Sequence, residues 1–296
     1  FFSASRQCQN TGRLADVAAA GLRIPNVLQN LLGEGTLSAS FIPVYARMLD
    51  EGREEEAGRF AGAILGILTL VAFGVALLGV LAAPLLSELL LSQRDEASRE
   101  LLATVLQILF PMTATLVVSA WALGVLNSHR RFFLSYVAPV LWNAAIVAAL
   151  VMAGSAVASG EGTPERIVVS FAWGALAGAG LQLGVQLPVV FRLLRGFRLS
   201  IGRRVAGVGE AIRAFGPVVA ARGVVNLSAW VDVALAGLLI EGAVINLQRA
   251  QTFYLLPISL FAMAVAASEL PELSRVGAGA APSLADPVRA ALRRVL

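Results

Sequence analysis

The sequence predicts an all-α integral membrane protein, a polytopic helix bundle of two pseudo-repeated lobes, and three observations carry that expectation. Of 296 residues, 57% are hydrophobic and 14% charged, with a mean hydropathy of +0.77, a balance unlike that of soluble domains. Seven apolar stretches are each long enough to span a bilayer, which takes about 20 helical residues. Lipid offers no partner to an open backbone group, so spanning segments are helices or closed barrels. Runs of this length exclude barrel strands of about ten residues.

Taken in order, the stretches are 16–46, 60–91, 101–127, 133–158, 164–191, 210–239 and 243–274. Between them lie polar links such as DEGREEEAGR, SQRDEASRE, NSHRR and SGEGTPER, and a longer one, RLLRGFRLSIGRRVAGVGE. Pro111, Pro139 and Pro188 mark bends within their helices, and the Gly216-Pro217 step opens the helix of 210–239. Pro257 belongs with these bending positions. Trp121, Trp142, Trp173 and Trp230 lie within spans as packing residues. The small-residue run Gly174 to Gly180 allows close approach of a neighbouring helix.

The first stretch mixes polar and apolar residues in a way a soluble amphipathic helix rarely does. At about 100° per residue, Asp16, Arg23, Asn30 and Glu34 fall within an arc of roughly 40°, and Asn26 lies between them in sequence. Charges at membrane depth cost several kcal/mol unless they face a bundle interior or a water-filled cavity. Two readings of the stripe are open. It lines a solute path, or Arg23 pairs with Glu34 or Asp16 and only holds the bundle together. Pro25 and Pro43 are expected to interrupt this helix at its middle and near its end. A bent, polar-striped helix is the kind transporters use. Arg222 lies deep in the stretch 210–239 with Asn226 and Asp232 beyond it, either as a donor toward a cavity or as the partner of Asp232. Arg213 can snorkel to the interface. Arg249 opens the last stretch.

Several function classes are set aside. One cysteine, Cys8, excludes a disulfide framework, and with a single His129 there is no ligand set for zinc or haem. All 23 basic residues are Arg, spread over the links rather than gathered on a face, which argues against nucleic acid. No P-loop is present, so ATP is not the direct energy source. An enzyme would need clustered acids at a water-exposed mouth. The nearest cluster, Glu54 to Glu56, sits with Arg59 on a solvated link. The first residues, FFSASRQCQNTGR, do not form a signal peptide. No cofactor is expected.

The chain repeats itself. Ala39-Ser40-x-Ile42-Pro43-x-x-x-Arg47 recurs as Ala267-Ser268-x-Leu270-Pro271-x-x-x-Arg275. Both copies sit in helices that cross in the same direction, which fits parallel lobes. Arg residues are unequally divided: fourteen lie on the side of the link 46–59 and five on the other. The positive-inside rule puts that link and the C-terminal end in the cytoplasm.

The order Asp16, then Arg23-Ile24-Pro25-Asn26, then Glu34-Gly35, then Ser38 to Pro43 resembles the second membrane helix of the MurJ (MviN) lipid II flippase family. That family lies within the multidrug/oligosaccharidyl-lipid/polysaccharide exporter superfamily. The resemblance implies a bacterial cytoplasmic membrane protein that flips a lipid-linked oligosaccharide, lipid II, by alternating access through a central cationic cavity. Membrane lipids and a coupling cation are the other partners it implies. It further implies a first helix before Gly12, a first lobe over 1–198, and a second lobe that starts at 199 and stops after two helices. The substrate-facing residues would be Arg23, Asn26, Asn30, Glu34, Asp16, Asn226 and Arg249, with Arg222 added on depth alone. Pro25, Pro43, Gly35, Pro217 and Pro257 would bend or gate. The family usually carries Arg where Gln29-Asn30 stands, and an inward Arg where Thr252 stands. These departures keep two alternatives in view: a drug or polysaccharide-precursor exporter, and a non-transporting scaffold.

The Arg asymmetry yields a test of topology. A reporter active only outside the cytoplasm, fused after Ser274, is expected to be silent. Activity there would invert the assignment.

Overall fold

Apolar runs bounded by charged links become helices from end to end: α1 (Phe2–Leu32), α2 (Glu34–Ser40), α3 (Ile42–Asp50), α4 (Glu54–Leu90), α5 (Glu96–Ser128), α6 (Phe132–Ala158), α7 (Pro164–Leu193) and α8 (Val208–Gly237). This computed structural model describes residues 2–257 apart from 93, 203–204, 240–242, 244 and 248; side chains at 2–12, 23–24, 34, 225–227, 229–230, 233–234 and 237 are also outside the description. The described residues contain no strand. Among them α4, α5, α6 and α7 are long and apolar enough to cross a membrane. The expected span 16–46 is built from α1, α2 and α3 together, and 210–239 corresponds to α8. The chain falls into two compact units, Phe1–Val244 and Ile245–Leu296. In the second, residues 249–257 are helical. The rest of the expected span 243–274, with the second copy of the repeat, lies outside the described residues.

The core gathers on α5, which packs on α1, α4 and α7. Leu102, Val105, Leu106, Leu109, Met112 and Trp121 are buried along it. A buried indole N–H needs a partner where no water reaches, and Trp121 Nε1 donates to the Ala61 carbonyl at 3.1 Å. Ser119 does the same work toward α7: its hydroxyl donates to Gln186 Oε1 at 2.6 Å and accepts from Gln182 Nε2 at 2.8 Å. Small residues set the spacing of α6 and α7. A methyl at Gly178 would stand 2.8 Å from the Trp142 carbonyl oxygen, and one at Gly174 would crowd Ala149. Trp142 Nε1 closes this contact on the Ala175 carbonyl at 3.0 Å.

The links separate into two ends. At one, Arg13 reaches Asp95 at 3.1 Å and Glu165 at 2.8 Å, joining α1, the α4–α5 link and the start of α7. A hydrogen bond from Ser98, and then the Arg13 charge, hold the Asp95 carboxyl below the usual range. At the other end, the Tyr45 hydroxyl and His129 Nε2 lie 2.9 Å apart, and burial holds His129 below the ordinary imidazole range. Arg47 grips Glu210 with both arms of its fork, at 3.1 and 2.6 Å, and Arg195 meets Glu54 at 2.8 Å. The links assigned to opposite faces from sequence are therefore gathered at opposite ends.

The described residues of the connector between α7 and α8 run without helix along α4. Gly58, Gly62 and Gly66 form a groove there, and a methyl on any of them would collide with the carbonyl of Arg195, Arg198 or Ser200 respectively. Backbone this close to a helix is possible only where side chains are absent. Gly207 ends the connector at φ 83°, in the left-handed region, and starts α8 against Met48 and Val44.

This geometry separates two glycines of one helix. Gly62→Ala forces backbone against backbone and is expected to destabilise by about 1–3 kcal/mol, read as a lower thermal midpoint in detergent. Gly74→Ala, which meets nothing within 4 Å, is expected to be neutral or stabilising by up to about 1 kcal/mol. Equal effects would remove the groove from the account.

Candidate functional site: the broken first helix and its partner on α8

The polar helix is interrupted at Gly33 and again at Phe41, and the first break is not where proline predicted it. Pro25 lies buried inside α1, which continues to Leu32. A single proline removes one helical hydrogen bond, and a packed neighbourhood can absorb that loss. Pro43 behaves as expected, near the start of α3, where its missing N–H costs nothing. Gly33, with φ −87° and ψ −151°, takes the chain out of helical geometry.

A helix end inside a bundle leaves carbonyls to be satisfied. Gly33 N–H still donates to the Gln29 carbonyl at 2.7 Å. The Thr36 hydroxyl reaches back to the Leu31 carbonyl at 2.7 Å. The Asn30 carbonyl accepts from Arg222 Nη1 at 3.4 Å, across from α8. The guanidinium lies directly over Gly35, where any methyl would collide with it. Gly35, expected as a gating residue, is thus the floor on which Arg222 rests. Asn26, Asn30 and Arg222 are all exposed. They form a polar surface between apolar hollows. One, of about 550 Å³, is lined by Val27, Leu28, Leu31 and Gly223 among others; the second, of about 90 Å³, lies between Leu32, Leu37, Ile64 and Phe215.

The stripe of α1 therefore passes through two surroundings. Toward the end that holds Arg13, Asp16 is 2% exposed and meets Arg94 Nη2 at 3.2 Å, itself 11% exposed. Around Asn26 and Asn30 the same helix is open. Arg94 stands in the polar link SQRDEASRE, and Gly33 stands just before Glu34. Neither carries a local signal of its role. The side chains of Arg23, Glu34 and Asn226 lie outside the described residues. Pro217 is exposed within α8, whose helical run it does not end. In the second unit, Arg249, Thr252 and Pro257 are exposed.

Asp16 and Arg94 generate a prediction. Asp16→Asn leaves a largely buried guanidinium without this carboxylate, a change that costs roughly 3–5 kcal/mol in buried pairs. Membrane abundance is expected to fall, and adding Arg94→Gln is expected to restore it. Abundance unchanged by the single substitution would mean the pair does not hold the bundle.

The model of the lipid II flippase MurJ family matches residues 11–296. The chain is 30% identical over 272 residues to a probable lipid II flippase MurJ of Rhizobium tropici, covering 90% of this chain and 49% of that protein. It is 29% identical over 266 residues to the lipid II flippase MurJ of Burkholderia cenocepacia, covering 88% and 50%. A solved structure of lipid II flippase MurJ in an inward closed conformation aligns with a TM-score of 0.63 at 19% identity, covering 93% of this chain and 58% of that one. At that identity the likeness concerns the fold. The chain spans about half the length of the curated relatives it matches. The family match over nearly the whole chain, on a helical membrane fold of the same kind, identifies this chain as a member of the lipid II flippase MurJ family.

Proposed function

We propose that this chain takes part in flipping lipid II, a lipid-linked peptidoglycan precursor, across the bacterial cytoplasmic membrane by alternating access. The observation that carries the proposal is the exposed polar surface of Asn26, Asn30 and Arg222 at the break in α1, beside the long apolar helices α4 to α7. A diphosphate crossing apolar depth needs cationic donors, and the planar fork of Arg pairs with two phosphate oxygens at once. In this reading Arg23, Asn226 and Glu34 complete the substrate-facing set of the first unit; Asp16, expected to face substrate, is buried against Arg94 and instead orients its end of α1, and Arg249 is a separate candidate in the second unit. Pro25, Pro43, Gly35, Pro217 and Pro257 shape or gate the path. The first lobe is 1–198 and the second begins at 199, so that α8 is the second lobe's first helix. A cation or the membrane potential drives the cycle. The family match favours a lipid II substrate over a drug or polysaccharide precursor.

The test is complementation of a flippase-depleted cell with protein abundance measured alongside. Arg23→Gln and Arg222→Gln are each expected to abolish growth rescue at unchanged abundance, because the anion loses a charged partner at low dielectric. Arg→Lys is expected to be partly tolerated, since the charge stays and the fork is lost. Full rescue by both Gln variants would remove these two residues from the path. Failure of the unaltered chain to rescue would favour the scaffold reading.

A further inference from the structure

We infer that Ser119, Gln182 and Gln186 hold a buried water molecule between α5 and α7, so that these two helices are joined at membrane depth by a hydrated polar clasp. The inference stands apart from the functional reading above.

The two amides occupy places where apolar side chains are expected. Ala172, Ala175, Ala179, Gln182, Gln186 and Val190 are all buried, and their spacing of three and four residues makes them one stripe of α7. The two glutamines carry that stripe onto Ser119 of α5. Ser119 precedes the end of α5 at Ser128, and Gln186 the end of α7 at Leu193, by two or more turns, which at 1.5 Å per residue sets them roughly 10 Å or more inside their helices. Ser119 and Gln186 are 0% exposed and Gln182 is 5% exposed. Bulk water does not reach this depth, so every polar group here has to be met from within.

The hydrogen-bond inventory does not close on the three side chains alone. The single hydroxyl hydrogen of Ser119 goes to Gln186 Oε1 at 2.6 Å, and the hydroxyl oxygen accepts from Gln182 Nε2 at 2.8 Å. Gln182 Oε1 and Gln186 Nε2 are buried and have no hydrogen-bond partner among the described residues. Turning both amides over swaps their roles at the hydroxyl and strands the same two kinds of group, one carbonyl oxygen and one amide nitrogen. Buried amide groups left unmet are costly, and native structures almost always supply a partner.

The two unmet groups define the guest. It must donate to a carbonyl oxygen and accept from an N–H, and it must be small. Gln182 and Gln186 are one turn apart on the same face of α7, and both are held on one hydroxyl, so their free ends border one space. A bare cation suits the oxygen but is opposed by the N–H beside it, and an anion meets the reverse conflict. Water satisfies both. The remaining lone pair of the Ser119 hydroxyl offers it a third partner, and buried waters typically make about three hydrogen bonds. Sliding or turning α7 on α5 would break the contacts of the water together with both direct bonds, so the clasp fixes the register of the two helices.

The test uses the full chain in lipid nanodiscs with its glutamines labelled by nitrogen-15, and reads magnetisation transfer from water to each side-chain amide. Gln182→Met and Gln186→Met variants assign the two signals. A water contact is expected at the Gln186 amide of the unaltered protein. In Gln182→Met, which keeps the bond between Ser119 and Gln186, that contact is expected to be lost while the Gln186 signal persists. No water contact at either amide of the unaltered protein overturns the inference, and this arm does not depend on the variants folding. A contact at Gln186 that survives Gln182→Met is not a shared bridging water and also overturns it. A shift of either amide signal with sodium concentration would make the guest a cation and overturn the assignment to water.

Discussion

A helix that stops inside a bundle leaves carbonyl groups that need other donors, and the contacts of α1, α2 and α8 at Gly33 follow from how this chain meets that constraint. Two nearby carbonyls find side-chain donors. Thr36 serves Leu31 from within the same strand of chain, at 2.7 Å. Arg222 serves Asn30 from another helix. The local solution is short and cheap in entropy, because Thr36 is only one turn away. The distant one ties the break to α8.

Around this joint, close packing is set by missing side chains. The connector seated on Gly58, Gly62 and Gly66 runs its carbonyls along α4, and α7 meets α6 at Gly174 and Gly178. Without a hydrophobic drive between helices in lipid, such packing and a few polar contacts do the holding. The Ser119–Gln186 and Trp121–Ala61 bonds are contacts of that kind. The connector is held on α4 and Arg47 grips Glu210, which fixes the start of α8; further along, α8 packs on α1 and α2.

Charge is handled differently at the two ends. The pairs Arg47–Glu210 and Arg195–Glu54 are half exposed or more, a setting in which an ion pair contributes about 0–1 kcal/mol. Asp16 and Arg94 are buried together, and there the larger effect is the penalty for removing one partner. Position, rather than number of pairs, decides which of them the bundle depends on.

Fold class, membrane setting and the family were legible in the sequence, because apolar length and the spacing from Asp16 to Pro43 are properties of the chain itself. The sidedness of the links was legible too, since a helix that spans must put consecutive links at opposite ends. What the sequence could not contain is the choice among alternatives that depend on neighbours. Proline marked Pro25 as the break, yet α1 continues through it, and the chain opens at Gly33, where Thr36 and Arg222 can satisfy the carbonyls. Asp16 and Asn30 share one stripe by angle, but only the tertiary structure shows that Arg94 closes over one and that the other stays open. Arg222 could be read from sequence as deep and charged. That it lies on Gly35 depends on the crossing of α2 and α8, residues almost two hundred positions apart in the chain, and no local pattern encodes a contact of that range.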